Sequence, residues 1–405
     1  MIQSFQDRIL FRIVIVPVAI FLIAASIWTG LSRQGDPERY PNYADRGDAY
    51  SEQIIRNTVV NAFVGDENVS GSLIWTRGYP SNIAYDPVGT RRYHSQLGLQ
   101  VEIYKVIAKF RGQLTEANSS ILFESFRLMN CLIAVCILYI FFLTLLSSRV
   151  IALLATCLMS MSAGLALFGA NLYWTYWMMF TPLLTLPILL AGRTFLFILM
   201  GFLFGLLYFS VRYEFATTFA LMWLLPVILA STKTTTKPIW VGGAGFAAVC
   251  VSFLIAVAIH HYRVMQVEQV AFSAASRYVF ENVGLRIASL DRVPFPMSLD
   301  FFKIIAFRMT ENAFAFEDIF SISRFLVVLL TVVMCLFSKD KRSFLILLWI
   351  LATYGSWYVF GYQHIMQHYK YDAMLFSATW GLMFTFFVCK WVVSQTSRAG
   401  RILNQ

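Results

Sequence analysis

The stretch TFLFILMGFLFGLLYFSV, residues 194–211, carries no charge and is closed by Arg193 on one side and Arg212 on the other. As an α-helix rising about 1.5 Å per residue, it comes close to the ~30 Å hydrocarbon core of a bilayer. Gly201 and Gly205 have the small-xxx-small spacing that lets two helices approach closely in lipid. Working outward, similar apolar runs lie at about 11–29, 128–147, 150–170, 174–192, 215–231, 238–259, 325–337, 344–360 and 373–393. The sequence therefore predicts an all-α polytopic membrane protein with about ten transmembrane helices. The whole 405-residue chain agrees, with 58% apolar types, 13% charged residues and a mean hydropathy of +0.65. That balance excludes a string of soluble domains.

The formal net charge is +10 and the pI about 9.3. In a soluble chain this would suggest nucleic acid, but the distribution says otherwise. With the N-terminus cytoplasmic, the inner segments hold Arg8, Arg12, Arg149, Arg193, Lys233, Lys237, Lys339, Lys341, Arg342, Lys390, Arg398 and Arg401 against only Asp7 and Asp340. Those are twelve of 32 cations and two of 22 acids, which leaves twenty of each outside. The excess is on one face, as the positive-inside rule requires, and both termini are expected in the cytoplasm. Phe11–Thr29 is longer than a signal-peptide core and reads as an anchor. Arg324, at the start of the eighth run, is expected to snorkel to the interface.

These spans divide the chain. Residues 1–31 are the first transmembrane helix, 32–126 a first exoplasmic loop with amphipathic helices, and 127–259 transmembrane helices two to seven. Residues 260–323 form a second exoplasmic loop, and 324–405 hold helices eight to ten and a cytoplasmic tail. The cytoplasmic connections are too short for a nucleotide site, so a cytosolic sugar nucleotide or ATP is not an expected substrate. All five histidines (His94, His260, His261, His364, His368) fall outside. In the first loop, Asp48–Phe63 sets Ile54, Ile55, Val59 and Phe63 opposite Glu52, Arg56 and Asn57. Leu99–Phe110 sets Ile103, Val106 and Ile107 opposite Glu102, Lys105 and Lys109, the pattern of an interfacial helix. Phe301–Met309 repeats it in the second loop. The six cysteines, all inside apolar runs, read as small packing residues.

A group that takes a proton from an acceptor hydroxyl must be an acid or histidine near the reaction centre. The acids after the first span are Asp36, Glu38, Asp45 and Asp48. Asp48 opens an amphipathic helix, where an N-cap and a positioned base are both open to it. His364 and His368 share a helical face with Asp372 at the same spacing, for which headgroup or acceptor contact is favoured over metal. Tyr173, Trp174, Tyr176 and Trp177 have the chemistry either to stack on a sugar or to form an interfacial belt.

The order of a first span, a long outer loop, Asp48, Tyr50, an amphipathic helix and Gly65-Asp66 resembles the GT-C glycosyltransferases. That group includes protein O-mannosyltransferases and the lipid A aminoarabinose transferase. The chain departs from the pattern in having Ala49 where many relatives have a second acid. It also has Tyr93–Gln100, with His94 and Gln96, where many have Pro-Pro-Leu. Gln367-His368-Tyr369-Lys370-Tyr371 is similar to the basic tyrosine stretch before the last span in such enzymes.

The resemblance implies an inverting glycosyltransferase that takes a sugar from a polyprenyl-phosphate donor to a glycan, lipid or protein acceptor outside the cytoplasm. Asp48 would be the catalytic base, with Asp45 in reserve. Arg212, Arg91, Arg92, Arg263 and Lys370 are candidates for the donor phosphate, Arg212 first. His94, Gln96, Glu214, His364, His368, Tyr371 and Trp174 are candidates for substrate contact. No cofactor is expected, a divalent cation being left open, and the partners are membrane lipids rather than nucleic acid. Compact size points to a bacterial inner membrane, with the active site facing the periplasm. The alternatives are an O-antigen polymerase or ligase using a lipid diphosphate, and a lipid-linked glycan transporter or flippase.

Overall fold

The computed structural model describes residues 14–29, 48–64, 73–76, 90–110, 116–231, 238–287, 299–316, 319–338, 340–361 and 371–402. Among these the architecture is helical. In chain order come α1 (Val16–Thr29), α2 (Ala49–Val64), α3 (Leu99–Phe110), α4 (Glu116–Leu146), α5 (Arg149–Ser160) and α6 (Ala163–Phe168). Then follow α7 (Tyr176–Leu190, tightly wound at first), α8 (Thr194–Val211), α9 (Ala216–Ala230), α10 (Pro238–Glu268), α11 (Phe272–Ile287) and α12 (Leu299–Thr310). Last are α13 (Arg324–Phe337), α14 (Arg342–Phe360) and α15 (372–402), which contains a π turn at Ser377–Gly381. Two antiparallel hairpins interrupt the helices, β1 (Leu73–Thr76) with β2 (Thr90–Tyr93) and β3 (Asn312–Phe316) with β4 (Phe320–Ser323).

Five helices, α4, α8, α10, α14 and the Asp372–Gln395 part of α15, are long and apolar enough to cross a membrane. The other five expected runs carry apolar helices too, but of only 10–17 residues: α1, α5, α7, α9 and α13. For α5, α7 and α9 the structure shows why. After α5 the chain breaks because β3 docks there: the Ala315 N–H donates to Met161 O at 3.1 Å, and Ser162 bridges Phe314. Thr175 and Phe215 take left-handed backbone (φ 38° and 62°) before α7 and α9, and Pro182 lies inside α7. Irregular backbone of this kind is tolerated at membrane depth only where protein covers it. Ser162, Asn171, Thr175 and Phe215 are indeed all buried.

The glycine spacing in 194–211 does what its chemistry suggests. A Cβ on Gly205 would stand 2.2 Å from Ser252 Oγ, and one on Gly245 2.6 Å from the Phe197 ring, so α8 and α10 close on each other through these glycines. The cysteines are free; Cys131, Cys335 and Cys389 are buried, whereas Cys250 is exposed on α10.

Helix α3 packs inward through Val101, Tyr104 and Ala108, and Ile103 and Val106 of its apolar face are exposed (43% and 55%). Two expectations are corrected. Glu52 and Asn57, placed on the polar face of α2, are buried along with Ile54, Ile55 and Val59, because Glu52 is paired inside with Arg127. Arg324 does not snorkel. It is 2% exposed and is held by Asp372 at 2.5 Å and Glu311 at 2.9 Å.

Candidate functional site

Asp48 is an N-cap, and more. Its Oδ1 accepts the Ser51 N–H at 3.0 Å, and its backbone carbonyl accepts the Glu52 N–H, as an Asp at a helix start should. The other oxygen points away from α2. Oδ2 accepts the Tyr371 hydroxyl at 2.6 Å and the Trp174 indole N–H at 3.2 Å. Of the about four lone-pair directions of a carboxylate, three are therefore occupied, all by neutral donors, and one remains for a proton. The carboxylate is only 6% exposed.

Trp174 and Tyr371 reach Asp48 because a short buried loop is pinned to α2. Asn171 Oδ1 accepts the N–H groups of Tyr173 and Trp174 at 2.9 and 3.0 Å, an Asx-type turn. Asn171 Nδ2 donates to the Asp48 carbonyl at 3.2 Å, and the Leu172 N–H donates to Glu52 Oε2 at 3.1 Å. Glu52 is fixed in turn by Arg127 of α4. Arg127 also binds Glu124 at 2.6 Å, and Glu124 takes the Trp28 indole N–H of α1 at 2.9 Å. Helices α1, α2 and α4 thus share one polar chain that sets the start of α2. Aromatic packing completes the support: the Trp174 and Tyr371 rings lie 4.4 Å apart, with Phe168 edge-on to both.

Arg212 arrives at the same indole from the opposite direction. The residue follows α8 in extended backbone (φ −158°, ψ 162°). Its guanidinium lies 5.0 Å from the centroid of the Trp174 ring, a cation–π arrangement. Nη2 donates to Tyr173 O at 3.0 Å and Thr175 Oγ1 at 2.7 Å, both neutral acceptors, and Nε has no acceptor. Four arginines are buried among the described residues: Arg127, Arg212, Arg308 and Arg324. The other three have a carboxylate within 4.0 Å; Arg212, 3% exposed, has none. Burial pulls its pKa below the usual value, although the nearby Glu214 carboxylate acts in the opposite sense. Glu214 is buried two residues on, with its carbonyl taking the Tyr208 hydroxyl at 2.6 Å.

Four expected residues far apart in sequence, Asp48, Trp174, Arg212 and Tyr371, thus form one centre. Trp174 is 1% exposed and its polar edge binds Asp48, so it supports the centre rather than offering a free stacking face; Tyr173 and Tyr176 are likewise inside.

The remaining described candidates gather elsewhere, where α3 and β2 meet the end of α10. Arg92 binds Glu268 at 3.2 Å, His94 Nε2 pairs with the same carboxylate at 2.8 Å, and Arg263 binds Glu102 at 3.0 Å. Burial lowers the pKa of His94, outweighing the pull of Glu268, so the ring favours its neutral form. Gln96 is 2% exposed in this group. The backbone of Arg91 pairs with Trp75 in the hairpin. Asp45, His364, His368 and Lys370, and the Gly65-Asp66 pair, lie outside the described residues.

One cluster was missed by sequence reasoning. Asp372 accepts Arg324 at 2.5 Å and the Tyr358 hydroxyl at 2.8 Å; Arg308 lies 3.8 Å away and donates to Tyr358 at 3.0 Å. Asp372 is therefore engaged with two arginines and a tyrosine. No group of three His, Cys, Asp or Glu among the described residues is placed to hold a metal ion. The available signal was an Asp next to Tyr371 and two arginines bordering apolar segments.

Comparison with protein-family models, with curated proteins and with solved structures finds no match to this chain.

Proposed function

We propose that the chain is an integral-membrane inverting glycosyltransferase that uses a polyprenyl-phosphate sugar. It would cross the membrane ten times with both termini cytoplasmic, act on the outer face of a bacterial inner membrane, and serve cell-envelope glycan synthesis. One observation carries the reading. A buried carboxylate with an open lone pair and a buried arginine with no carboxylate within 4.0 Å among the described residues flank the same indole, Trp174, without being paired to each other.

In the proposed step the acceptor hydroxyl gives its proton to Asp48 as its oxygen bonds to the anomeric carbon. The carbon–oxygen bond to the lipid phosphate breaks, and its electron pair leaves with the phosphate, whose growing charge is met by Arg212. Tyr371 and Trp174 orient the carboxylate. An anion that lodges at Arg212 gives the guanidinium the direct ionic contact that no carboxylate within 4.0 Å makes, which favours binding where water is excluded. A single unpaired arginine suits a monophosphate. Two of the other candidates, Arg92 and Arg263, already face Glu268 and Glu102, which favours a monophosphate over a diphosphate.

The test is transfer by purified protein in proteoliposomes with polyprenyl-monophosphate and polyprenyl-diphosphate sugars. Product from a monophosphate donor, reduced about 10²–10⁴-fold in Asp48→Asn, supports the proposal. Product from diphosphate donors alone points to the polymerase or ligase class. Movement of lipid-linked sugar across the bilayer without any new glycosidic bond points to a transporter.

A further inference from the structure

Backbone strain in this molecule gathers at the Arg212 end of the centre. Four non-glycine residues among those described have left-handed backbone: Ser147, Thr175, Phe215 and Gln269. Ser147 and Gln269 are exposed residues in short turns between helices. Thr175 and Phe215 are buried, and both meet Trp174, Thr175 as its neighbour in the chain and Phe215 with its ring 5.7 Å away. Left-handed backbone is a genuine outlier for a β-branched residue, and Thr175 alone of the four is β-branched. Strain of this kind persists where the surroundings hold it, and it concentrates at ligand-binding and catalytic positions.

The ordinary explanation for Thr175 is a helix cap, since it stands at the N-cap of α7, yet its side chain makes no cap hydrogen bond. The hydroxyl is turned to Arg212 instead. Oγ1 accepts from Nη2 at 2.7 Å and donates weakly toward Met178 Sδ at 3.7 Å. A turn alone would be better served by glycine or asparagine, which enter the left-handed region at little cost. Threonine takes on the strain and sets a hydroxyl at a fixed place. With the Tyr173 carbonyl and the Trp174 ring, three consecutive residues of one loop hold the guanidinium. The same loop grips the other half of the centre, since Asn171 Nδ2 and Trp174 Nε1 donate to Asp48.

We propose that Thr175 is a positioning residue, whose hydroxyl aims Arg212 at a lipid-linked monophosphate. The two protons of Nη2 go to the Tyr173 carbonyl and the Thr175 hydroxyl, which fixes the plane of the guanidinium, while Nε has no acceptor. This role rests on the proposed reading, in which Arg212 meets the donor phosphate. The departing phosphate carries more negative charge than the same group in the donor. A fixed Arg212 therefore holds the transition state and the free polyprenyl monophosphate more tightly than it holds the donor.

Three variants of the full chain test this, each scored per folded molecule. Thr175→Val removes the hydroxyl and keeps the shape. Thr175→Gly removes it and relieves the backbone, so its Tm should stay near that of the parent, and it decides the matter where Thr175→Val does not fold. Thr175→Ser keeps the hydroxyl. Binding is read in phosphatidylcholine nanodiscs with radiolabelled polyprenyl monophosphate, Arg212→Gln giving the floor, and transfer is read in proteoliposomes with a polyprenyl-monophosphate sugar. In Thr175→Val and Thr175→Gly, affinity for the polyprenyl monophosphate and kcat should both fall about 10–100-fold, with a smaller change in donor KM. Thr175→Ser should recover most of both, whereas a purely structural role would move Tm and leave kcat per folded molecule alone. Thr175→Val and Thr175→Gly variants that bind and turn over like the parent, a Thr175→Ser variant as impaired as Thr175→Gly, a parent that binds no polyprenyl monophosphate, or binding that survives Arg212→Gln overturns the proposal. Binding that depends on the Thr175 hydroxyl in a parent without transferase activity leaves the positioning standing and removes the reaction. Transfer by the parent that neither hydroxyl-free variant disturbs removes the positioning and leaves the reaction.

Discussion

Asp48 and Asp372 are both buried carboxylates, and neighbouring residues of one segment touch them: Tyr371 donates to Asp48, and Asp372 follows it in the chain. Their surroundings differ in kind. Asp372 faces two guanidiniums, of Arg324 and Arg308, and the Tyr358 hydroxyl; Arg324 is balanced further by Glu311. Its charge is neutralised within the protein, and it ties α12, α13, α14 and α15 together. Asp48 is held only by neutral donors, and the cation that shares its indole, Arg212, has no carboxylate within 4.0 Å among the described residues. The difference teaches where function sits. A charge matched within the fold contributes to structure, whereas two buried charges kept from each other's contact are available to something else.

The comparison breaks first on stability. Asp372→Asn leaves two arginines without their carboxylate, and loss of one partner of a buried pair costs about 3–5 kcal/mol. A large fall in Tm and in folded yield is expected, read by thermal melting in detergent. Asp48→Asn keeps the N-cap, since Asn serves there nearly as well as Asp, and its Tm should stay near that of the parent. Equal Tm losses in the two variants would erase the distinction.

Arginines should mirror the carboxylates. Arg324→Gln is expected to lower Tm, whereas Arg212→Gln removes an uncompensated charge and should leave Tm unchanged or raised while reducing transfer about 10²-fold. Arg212→Lys should recover only part of that, because a point charge replaces the planar fork. An Arg212→Gln variant with full turnover, or one that fails to fold, breaks the comparison from the other side.

Much of this organisation is legible in the sequence, for identifiable reasons. The charge-free run between Arg193 and Arg212 has to be an apolar helix, and α2, α3 and α12 announce themselves by period. Asp48 could be singled out because it opens an amphipathic helix after the first span, and its role as base came from the resemblance rather than from any local feature. Other features depend on contacts that no local pattern encodes. The break after α5 comes from β3, more than a hundred residues away, docking against Met161 and Ser162. Arg324 looks like an interfacial anchor until its partner Asp372 is folded against it. The polar face of α2 turned out to be buried for the same reason, since Glu52 has Arg127. Period alone assigns charged residues to water, and a paired charge escapes that rule.

Smaller effects sharpen the contrast. Tyr371→Phe removes one hydrogen bond to a charged acceptor, worth about 1.5–3 kcal/mol, so turnover should fall about tenfold or somewhat more with Tm little changed. Tyr358→Phe, at the matched carboxylate, should instead act on Tm. Beside Glu268, burial lowers the pKa of His94 from 6.5, so the unfolded chain binds a proton there more readily than the folded one. The contribution of neutral His94 is present above the unfolded value and is lost as pH falls through the folded one. Tm should therefore decline on acidification below 6.5, and less steeply in His94→Gln. An unaltered slope would remove His94 from the explanation.

The sharpest comparison is the transfer rate per folded molecule in Asp48→Asn and Asp372→Asn, each measured in proteoliposomes against the parent with a polyprenyl-monophosphate sugar. If Asp48 is the reserved carboxylate, Asp48→Asn loses about 10²–10⁴-fold in rate with its Tm intact, while the surviving folded fraction of Asp372→Asn keeps most of its turnover. Near-normal turnover in Asp48→Asn contradicts the assignment of Asp48 as the base.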